Sequence, residues 1–218
     1  MVRISERMFQ VFDSGIFKAA LFDLDGVILD TEHQYTAFWH KVANAYFPDN
    51  PQFPQEIKGR TLVEISNLFF SDKPDVLQEV KALLNAHQEQ MTYEYIPGAF
   101  EFVSLLHKNR VPTAIVTSSN QSKMQCVYAA RPELRRLFSA ILTAEQFSRS
   151  KPAPDCYLLA AKTLGIQPND CLVLEDSRTG LTSGRRAGMH VLGLATTLPR
   201  NEVNELSDWT IANFNEIM

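Results

Sequence analysis

Residues 17–27 read F-K-A-A-L-F-D-L-D-G-V, a short apolar run that ends in two carboxylates and a glycine. A run of this length without polar alternation is typical of a strand that is buried on both faces of a parallel sheet. A buried carboxylate is unfavourable unless a cation or hydrogen-bond donors meet it. The end of this strand, at Asp23 and Asp25, is therefore predicted either to face water or to receive a cation.

Three further apolar runs resemble the first, and they begin at Val111, Cys171 and Met189. Shorter strands are predicted at residues 140–143 and 209–211. Helical periodicity fills the intervals at 98–109, 119–130, 154–165 and 177–187. Because strands alternate with helices, the sequence predicts an α/β fold with a doubly wound, Rossmann-like parallel sheet.

Residues 31–95 interrupt this alternation, because they show helical periodicity and several prolines but no strand-like run. Thr31 and Gln34 have the spacing of a capping box, which predicts that a helix begins there. We therefore predict a small all-helical cap domain of residues 31–95. It is inserted after the first strand into an α/β catalytic core of residues 1–30 and 96–218.

The composition limits the classes of partner. The 218 residues are 45% hydrophobic and 21% charged, as in ordinary globular proteins, and the net charge is −4. An acidic chain is a poor match for nucleic acid or an anionic membrane surface. No apolar run approaches the roughly 20 residues of a membrane helix, no apolar signal-peptide segment follows the first residues, and the three cysteines show no paired spacing. These features predict a cytoplasmic protein that binds neither nucleic acid nor membrane.

Polar side chains gather where the predicted strands end. Ligands of open α/β sheets bind in the crevice beyond the carboxyl ends of the strands, so these side chains are predicted to form one site. The set contains Asp23, Asp25, Thr117, Ser118, Ser119, Lys151, Glu175 and Asp176.

These segments closely resemble the motifs of the haloacid dehalogenase superfamily of phosphotransferases, in the subgroup that contains β-phosphoglucomutase and small sugar phosphatases. The matching stretches are D-L-D-G-V at 23–27, V-T-S-S at 116–119, S-K-P-A-P-D at 150–155 and L-E-D-S-R-T-G at 174–180. They occur in the family's order, and the helical insertion lies where that subgroup carries its cap domain.

The resemblance implies a role for each catalytic residue. Asp23 is the expected nucleophile, which attacks phosphorus to form an aspartyl-phosphate. Asp25 is the expected general acid for the leaving alkoxide and then the base for water. Lys151 is expected to neutralise Asp23 and the phosphoryl oxygens. The Thr117 hydroxyl and the backbone N–H groups that follow it, at Ser118 and Ser119, are expected to bind those oxygens.

The resemblance also implies a Mg²⁺ cofactor. Two carboxylates that face a phosphate dianion repel it, by ~4 kcal/mol for each pair of unit charges at ~4 Å and an effective dielectric near 20, so a cation is needed. Asp23, the backbone carbonyl of Asp25 and Asp176 offer the hard oxygen ligands that Mg²⁺ prefers, with Glu175 as a further candidate.

Each motif has a structural alternative when it is taken alone. Glu175-Asp176-Ser177 could be a helix cap, and Ser118 with Gln121 has the spacing of a capping box. A lone Lys151 could be a solvated loop charge. The four motifs in one order favour the functional interpretation.

The predicted cap domain supplies three candidates for substrate binding. Tyr35 follows one turn into the first cap helix, where it could face the site. Lys58 and Arg60 flank a glycine between helices, and in the resembled subgroup the matching segment contributes to substrate binding. An ordinary polar loop is the alternative for this segment.

These observations predict a Mg²⁺-dependent phosphatase for a small phosphorylated metabolite, a sugar phosphate in particular, in a monomer or weak homodimer. The alternatives are a hexose-phosphate mutase like β-phosphoglucomutase and a non-catalytic regulator that binds a phosphorylated ligand. Paired Asp23 and Asp25 argue against the regulator. In the mutase pattern, an arginine at the position of Leu62 and a lysine at the position of Asn120 bind the second phosphate, and a histidine at the position of Tyr35 couples proton transfer to substrate binding. This chain lacks all three, and Arg60 could replace only one of these contacts, so hydrolysis is predicted.

Overall fold

A parallel sheet of six strands forms the core of the computed structural model, which describes residues 16–218. The strand order is β3-β2-β1-β4-β5-β6, and every neighbouring pair is parallel. The strands are β1 (Ala19–Phe22), β2 (Thr113–Val116), β3 (Ala140–Leu142), β4 (Cys171–Glu175), β5 (His190–Leu194) and β6 (Trp209–Ile211). The predicted doubly wound sheet is confirmed. Residues 1–15 of the predicted core segment 1–30 lie outside the described residues.

The helices follow the predicted alternation and add short elements that the sequence did not indicate. They are α1 (Glu32–Tyr46), α2 (Phe53–Glu56), α3 (Leu62–Phe69), α4 (Pro74–Gln90), α5 (Ala99–Lys108), α6 (Gln121–Ala130), α7 (Leu134–Leu137), α8 (Asp155–Leu164), α9 (Arg178–Arg186) and α10 (Arg200–Leu206). Single 3₁₀ turns cover Ala144–Gln146, Pro168–Asp170 and Phe214–Glu216.

Strand β1 is buried on both faces, and its side chains alternate between two apolar clusters. Ala20 and Phe22 pack with residues of α5 and α6. Ala19 and Leu21 pack with residues of α8, α9 and α10. The unbroken apolar run in the sequence is thus explained, because helices cover both sides of the sheet.

A small all-helical domain is inserted after β1, as predicted. Helices α1 to α4 enclose a third apolar cluster that contains Phe38, Trp39 and Phe53. The chain leaves and re-enters the core through two paired segments. The Asp30 N–H donates to Glu94 O at 2.8 Å, and the Ile96 N–H donates to Ile28 O at 3.0 Å.

The predicted capping box at the start of α1 is wrong. Thr31 stands at the N-cap position, but its side chain accepts no capping bond, because its hydroxyl donates to Asp25 instead. The Gln34 side chain binds the backbone of Thr92, with its Nε2 2.8 Å from the carbonyl and its Oε1 3.0 Å from the N–H. A reciprocal capping box does occur in this domain, between Thr61 and Glu64 at the start of α3.

Within residues 16–218, no helix is both long enough and apolar enough to cross a bilayer.

Candidate active site

The carboxyl ends of β1, β2 and β4 meet under the helical domain and enclose a cavity of about 150 Å³. This convergence follows from the topology, since neighbouring parallel strands end at the same edge of the sheet. Almost all of the predicted site residues line the cavity: Asp23, Asp25, Tyr35, Lys58, Arg60, Thr117, Ser118, Ser119, Lys151 and Asp176. Glu175 does not line it, because its side chain is completely buried behind Lys151 and Asp176.

Lys151 is a buried ammonium that joins two carboxylates. Its Nζ lies 2.5 Å from Asp23 Oδ1, 2.6 Å from Glu175 Oε1 and 3.0 Å from the Val116 carbonyl, and the residue is 3% exposed. Burial alone would lower the pKa of Lys151, but Asp23 and Glu175 raise it well above its usual value. The alternative of a solvated loop charge is therefore wrong.

Asp23, Glu175 and Asp176 bring more negative charge together than Lys151 neutralises. One oxygen of each lies within 4.8 Å of the others. Burial, followed by the charges of Glu175 and Asp25, raises the pKa of Asp23 to about 7 even though Lys151 opposes the shift. Burial and the neighbouring carboxylates also raise the pKa of Asp176 well above its usual value. A hard divalent cation with oxygen ligands, such as Mg²⁺, fits this excess of charge.

Glu175 is held by more donors than either neighbour. Its Oε1 accepts from Lys151 and, at 3.0 Å, from the Tyr157 hydroxyl. Its Oε2 accepts from the Asp176 N–H at 3.0 Å and from the N–H and hydroxyl of Ser177 at 3.1 Å. A carboxylate offers about four lone-pair sites, and these bonds use them. Glu175 thus orients Lys151 and the loop after β4, and its direct contact with a metal stays a prediction.

Asp25 is held on both oxygens by neighbours from three segments. Its Oδ1 accepts from Lys123 Nζ and the Thr31 hydroxyl, and its Oδ2 accepts from the Ser119 hydroxyl at 3.0 Å. Burial would raise the pKa of Asp25, but Lys123 and these hydroxyl groups together lower it. The carboxylate is therefore ionised in this arrangement and fixed in position.

Gly26 makes the turn between Asp25 and the rest of the loop possible. Its φ is +75°, and a Cβ at this position would lie 2.0 Å from Asp176 Oδ2. A side chain here would collide with the Asp176 carboxylate and would strain a backbone with positive φ, so the glycine lets that carboxylate lie against the loop after β1.

The loop after β2 offers hydroxyl groups toward the cavity. Thr117 Oγ1 accepts from the Ser119 N–H at 3.0 Å, and its own proton has no acceptor among residues 16–218. Ser118 Oγ is buried and has no hydrogen-bond partner among residues 16–218. The alternative capping box of Ser118 with Gln121 is wrong, since Asn120 caps α6 by accepting from the Lys123 N–H at 2.9 Å.

The three predicted residues of the helical domain differ in their burial and in their hydrogen bonds. The ring of Tyr35 covers the Lys123 ammonium at 4.6 Å, and its hydroxyl accepts from Gln88 at 3.1 Å. Lys58 is half-buried, and its ammonium makes no hydrogen bond or ion pair with the part of the chain described here. Arg60 is exposed, and its Nε donates to the Glu56 carbonyl at 2.7 Å.

The sequence interpretation missed Lys123 and Glu32, which both line the cavity. Lys123 lies in the first turn of α6 and is 2% exposed. A cation opposes the helix dipole at that position, and this mismatch was a readable signal. Glu32 gave no such signal, because an acid in the first turn of a helix is common.

A parallel α/β sheet with a lysine-paired carboxylate cluster under an inserted helical domain defines a class of capped α/β enzymes. The chain belongs to the haloacid dehalogenase-like hydrolase family, whose model matches residues 17–188.

Similar proteins agree with this assignment. Hexitol phosphatase A of Escherichia coli strain K12 is 33% identical over 194 residues, which are 87% of this chain and 88% of that protein. Validoxylamine A 7′-phosphate phosphatase of Streptomyces hygroscopicus subsp. limoneus is 29% identical over 84% of this chain and 87% of its own length. A crystal structure of a family IA, variant 3 hydrolase of the same superfamily from Entamoeba histolytica aligns with a TM-score of 0.77 at 26% identity, over 93% of this chain and 96% of that one. The chain is a phosphoric monoester hydrolase.

Proposed function

We propose that this protein is a Mg²⁺-dependent phosphatase that hydrolyses a small sugar phosphate through an aspartyl-phosphate on Asp23. The observation that carries the proposal is the joint position of Asp23, Asp25 and Lys151. The nucleophile candidate is paired with a buried ammonium, and the acid–base candidate lies two residues away at the same cavity.

The first step transfers the phosphoryl group to the protein. An oxygen of Asp23 attacks phosphorus in line, and the bond from phosphorus to the substrate oxygen breaks. Asp25 gives its proton to the leaving alkoxide. Because Asp25 is held ionised by Lys123 and Thr31 in this arrangement, it takes up a proton and loosens these bonds before it acts as an acid.

The second step regenerates the nucleophile. Asp25, now ionised, takes a proton from water, and the resulting hydroxide attacks the aspartyl-phosphate to release inorganic phosphate and free Asp23. Lys151 and the hydroxyl groups of Thr117 and Ser118 bind phosphoryl oxygens throughout. Lys151 is held by Asp23, Glu175 and the Val116 carbonyl, and Thr117 is held by the Ser119 N–H, so neither needs much reorganisation to stabilise charge in the transition state.

The carboxylate cluster would hold the metal. Asp23, Asp176 and the backbone carbonyl of Asp25 are the proposed ligands, with Glu175 as a further candidate. When bound, Mg²⁺ supplies positive charge against the phosphoryl oxygens and the nucleophile.

The helical domain is the proposed cap of residues 31–95, which covers the site and excludes water during the reaction. Gly59 supports this role, because a Cβ there would lie 2.1 Å from Thr179 Oγ1 at the start of α9, so the cap loop touches the core. The cavity of about 150 Å³ suits a small substrate. Two relatives are named for phosphates of a hexitol and of validoxylamine A, which supports a sugar-like substrate.

Lys123 favours the mutase as a second candidate. Its ammonium lies at the same cavity as Asn120, which stands where the mutase pattern has a lysine. Hydrolysis is still the better proposal. Lys123 is paired with Asp25 and covered by Tyr35, so it is not free to hold a second phosphate. Leu62 also stands where the mutase pattern has an arginine, so no cation at that position binds the second phosphate of a bisphosphate intermediate. Water then hydrolyses the aspartyl-phosphate.

The test measures phosphate release from a panel of small sugar, polyol and aryl phosphates, with Mg²⁺ and with a chelator. We expect Mg²⁺-dependent release that the Asp23→Asn variant lacks. Isomerisation of β-glucose 1-phosphate with a trace of its bisphosphate, without phosphate release, would establish the mutase instead. Binding of a panel member without turnover would indicate the regulator. Sedimentation of the same sample tests the proposed monomer or weak homodimer.

A further inference from the structure

Glu32 is a carboxylate that lines the cavity without a partner. It is the first residue of α1, and its side chain makes no hydrogen bond or ion pair with residues 16–218. The other acids at the cavity differ from it, since Asp23, Asp25 and Asp176 each accept a bond from a neighbouring side chain. Glu32 is therefore the acid of this site that the protein itself leaves unsatisfied.

The surroundings of Glu32 leave its carboxylate accessible to a ligand in the cavity. Burial and then the charge of Asp25 raise the pKa of Glu32 to about 7, while Lys123 and Lys58 act in the opposite direction. The side chain is half-buried and its carboxylate accepts no hydrogen bond from residues 16–218, so a ligand in the cavity can reach it. Stabilisation of the helix dipole is the alternative role for an acid at this position. That role does not account for the position of the Glu32 side chain at the wall of the cavity.

Lys58, in the loop between α2 and α3, lines the same cavity. Its ammonium also lacks a hydrogen-bond partner among the described residues, and it interacts with Glu32 only at a distance longer than an ion pair. An unsatisfied acceptor and an unsatisfied donor therefore lie on the same side of the cavity. A ligand group that donates a hydrogen bond to Glu32 and accepts one from Lys58 would satisfy both side chains.

We infer that Glu32 binds a hydroxyl group of the substrate, next to the phosphoryl site, and thereby selects polyhydroxylated phosphate esters. The inference rests on the proposed phosphatase function and specifies which substrate group the cap side of the cavity binds. A hydroxyl group donates to the Glu32 carboxylate and accepts from the Lys58 ammonium. It also accepts from Glu32 when that carboxyl is protonated.

Other ligand groups fit this position less well. A substrate ammonium is attracted by Glu32 but repelled by Lys58 and Lys123, which both face the cavity. An apolar substituent leaves the carboxylate unpaired. Sites built to bind a hydroxyl group discriminate strongly against analogues that lack it, because their polar groups are then buried without partners.

The experiment compares Glu32→Ala and Glu32→Gln with wild type on matched phosphate esters. We expect Glu32→Ala to lower kcat/KM for glucitol 6-phosphate and glycerol 1-phosphate about 10- to 100-fold, while hydrolysis of phenyl phosphate changes by less than about twofold. Glu32→Gln keeps an acceptor oxygen and should lose less. The control variant Glu89→Ala, an exposed acid on α4, should match wild type on every ester. Equal losses on polyol and phenyl esters in Glu32→Ala would overturn the inference.

A second comparison separates hydroxyl from amine recognition. Wild type should hydrolyse 2-hydroxyethyl phosphate faster than 2-aminoethyl phosphate, and Glu32→Ala should remove this preference. The reverse preference would overturn the inference.

The melting temperature adds an independent readout. Glu32→Ala should be at least as stable as wild type, because the carboxylate it removes has no partner, and a clear loss of stability would mark Glu32 as structural and contradict the inference.

The two proposals fail in different ways. Wild-type release from phenyl phosphate without faster release from any polyol phosphate would overturn the role of Glu32 and leave the phosphatase intact. The absence of Mg²⁺-dependent release from every ester in the panel would overturn the phosphatase itself, and with it the inference.

Discussion

The two sides of the cavity differ in how completely their carboxylate and ammonium groups are satisfied. On the core side, Asp25 and Lys151 each have three hydrogen-bond partners within the protein, and Glu175 has four neighbours that donate to it. On the cap side, the side chains of Glu32 and Lys58 make no hydrogen bond with residues 16–218.

This difference separates chemistry from recognition. Groups that stabilise a transition state act best when they are fixed before the substrate binds, because no reorganisation is then needed. Groups that recognise a substrate must instead keep free donors and acceptors for it. We therefore expect substitutions on the core side to affect every substrate alike, and substitutions on the cap side to affect substrates selectively.

The largest effect is expected at the nucleophile. Asp23→Asn should lower kcat for all phosphate esters on the order of 10⁴-fold or more, because an amide cannot form the acyl-phosphate. The fold should persist, since the amide oxygen can still accept from Lys151. Phosphate release and circular dichroism measure the two outcomes, with exposed Asp49→Asn as the matched control. Residual activity within tenfold of wild type would remove Asp23 from the nucleophile's role.

The next effect concerns the buried ion pair of Asp25. Lys123→Met should reduce the free energy of unfolding by ~3 kcal/mol, because it leaves a largely buried carboxylate without its cation. Lys123→Arg keeps the charge and should lose less. Urea denaturation at pH 7 measures the difference. Equal stability of wild type and Lys123→Met would show that Thr31 and Ser119 alone satisfy Asp25.

Much of the fold could be predicted because the apolar runs are short, continuous and separated by helical periodicity. Residues 17–23 and 171–176 carry this pattern, and the structure has strands there. The core site followed from the rule that ligands bind at the carboxyl ends of parallel strands. The short helices α2, α7 and α10 were missed, since four to seven residues carry too little periodicity to be recognised.

The partners of Asp25 could not be derived from local sequence. Thr31 has the spacing of a helix cap, yet a contact with a carboxylate six residues earlier takes its hydroxyl. Lys123 reaches Asp25 across 98 positions of sequence. In both cases a tertiary hydrogen bond outweighs the local preference, because an unpaired buried charge is far less favourable than a missing cap.

The metal site makes a prediction about stability and pH. Because the pKa of Asp23 is about 7 in the folded chain and about 4 when unfolded, the folded state binds more protons between these values. Without metal, stability should therefore be highest at acid pH and fall as pH rises through about 7. Bound Mg²⁺ should flatten this dependence. Thermal unfolding between pH 5.5 and 8, with chelator and with Mg²⁺, measures it, and identical profiles would argue against a metal at these carboxylates.

Asp176→Asn sharpens that test. It removes one of the repelling charges but keeps an oxygen to accept from Thr197, so it should be more stable than wild type in chelator. Its half-saturating Mg²⁺ concentration should rise at least ~10-fold. Glu175→Gln should raise that concentration less, because the Glu175 oxygens already bind protein donors. An equal or larger rise in Glu175→Gln would make Glu175 the main ligand.

The smallest effect is expected at Arg60, and it distinguishes the two cap cations. Arg60 is exposed and its Nε is bound to the Glu56 carbonyl, whereas Lys58 is half-buried and unpartnered among the residues described. Arg60→Ala should therefore raise KM for a polyol phosphate only about twofold, within the range of exposed charge contacts. Lys58→Ala should raise it about tenfold, because a hydrogen bond from a charged donor is stronger. Neither variant should change KM for phenyl phosphate.

A larger selective effect at Arg60 than at Lys58 would mean that Arg60 leaves Glu56 and reaches the substrate when the cap closes. If each variant changed KM equally for the polyol phosphate and for phenyl phosphate, neither Arg60 nor Lys58 would contribute to recognition of the polyol.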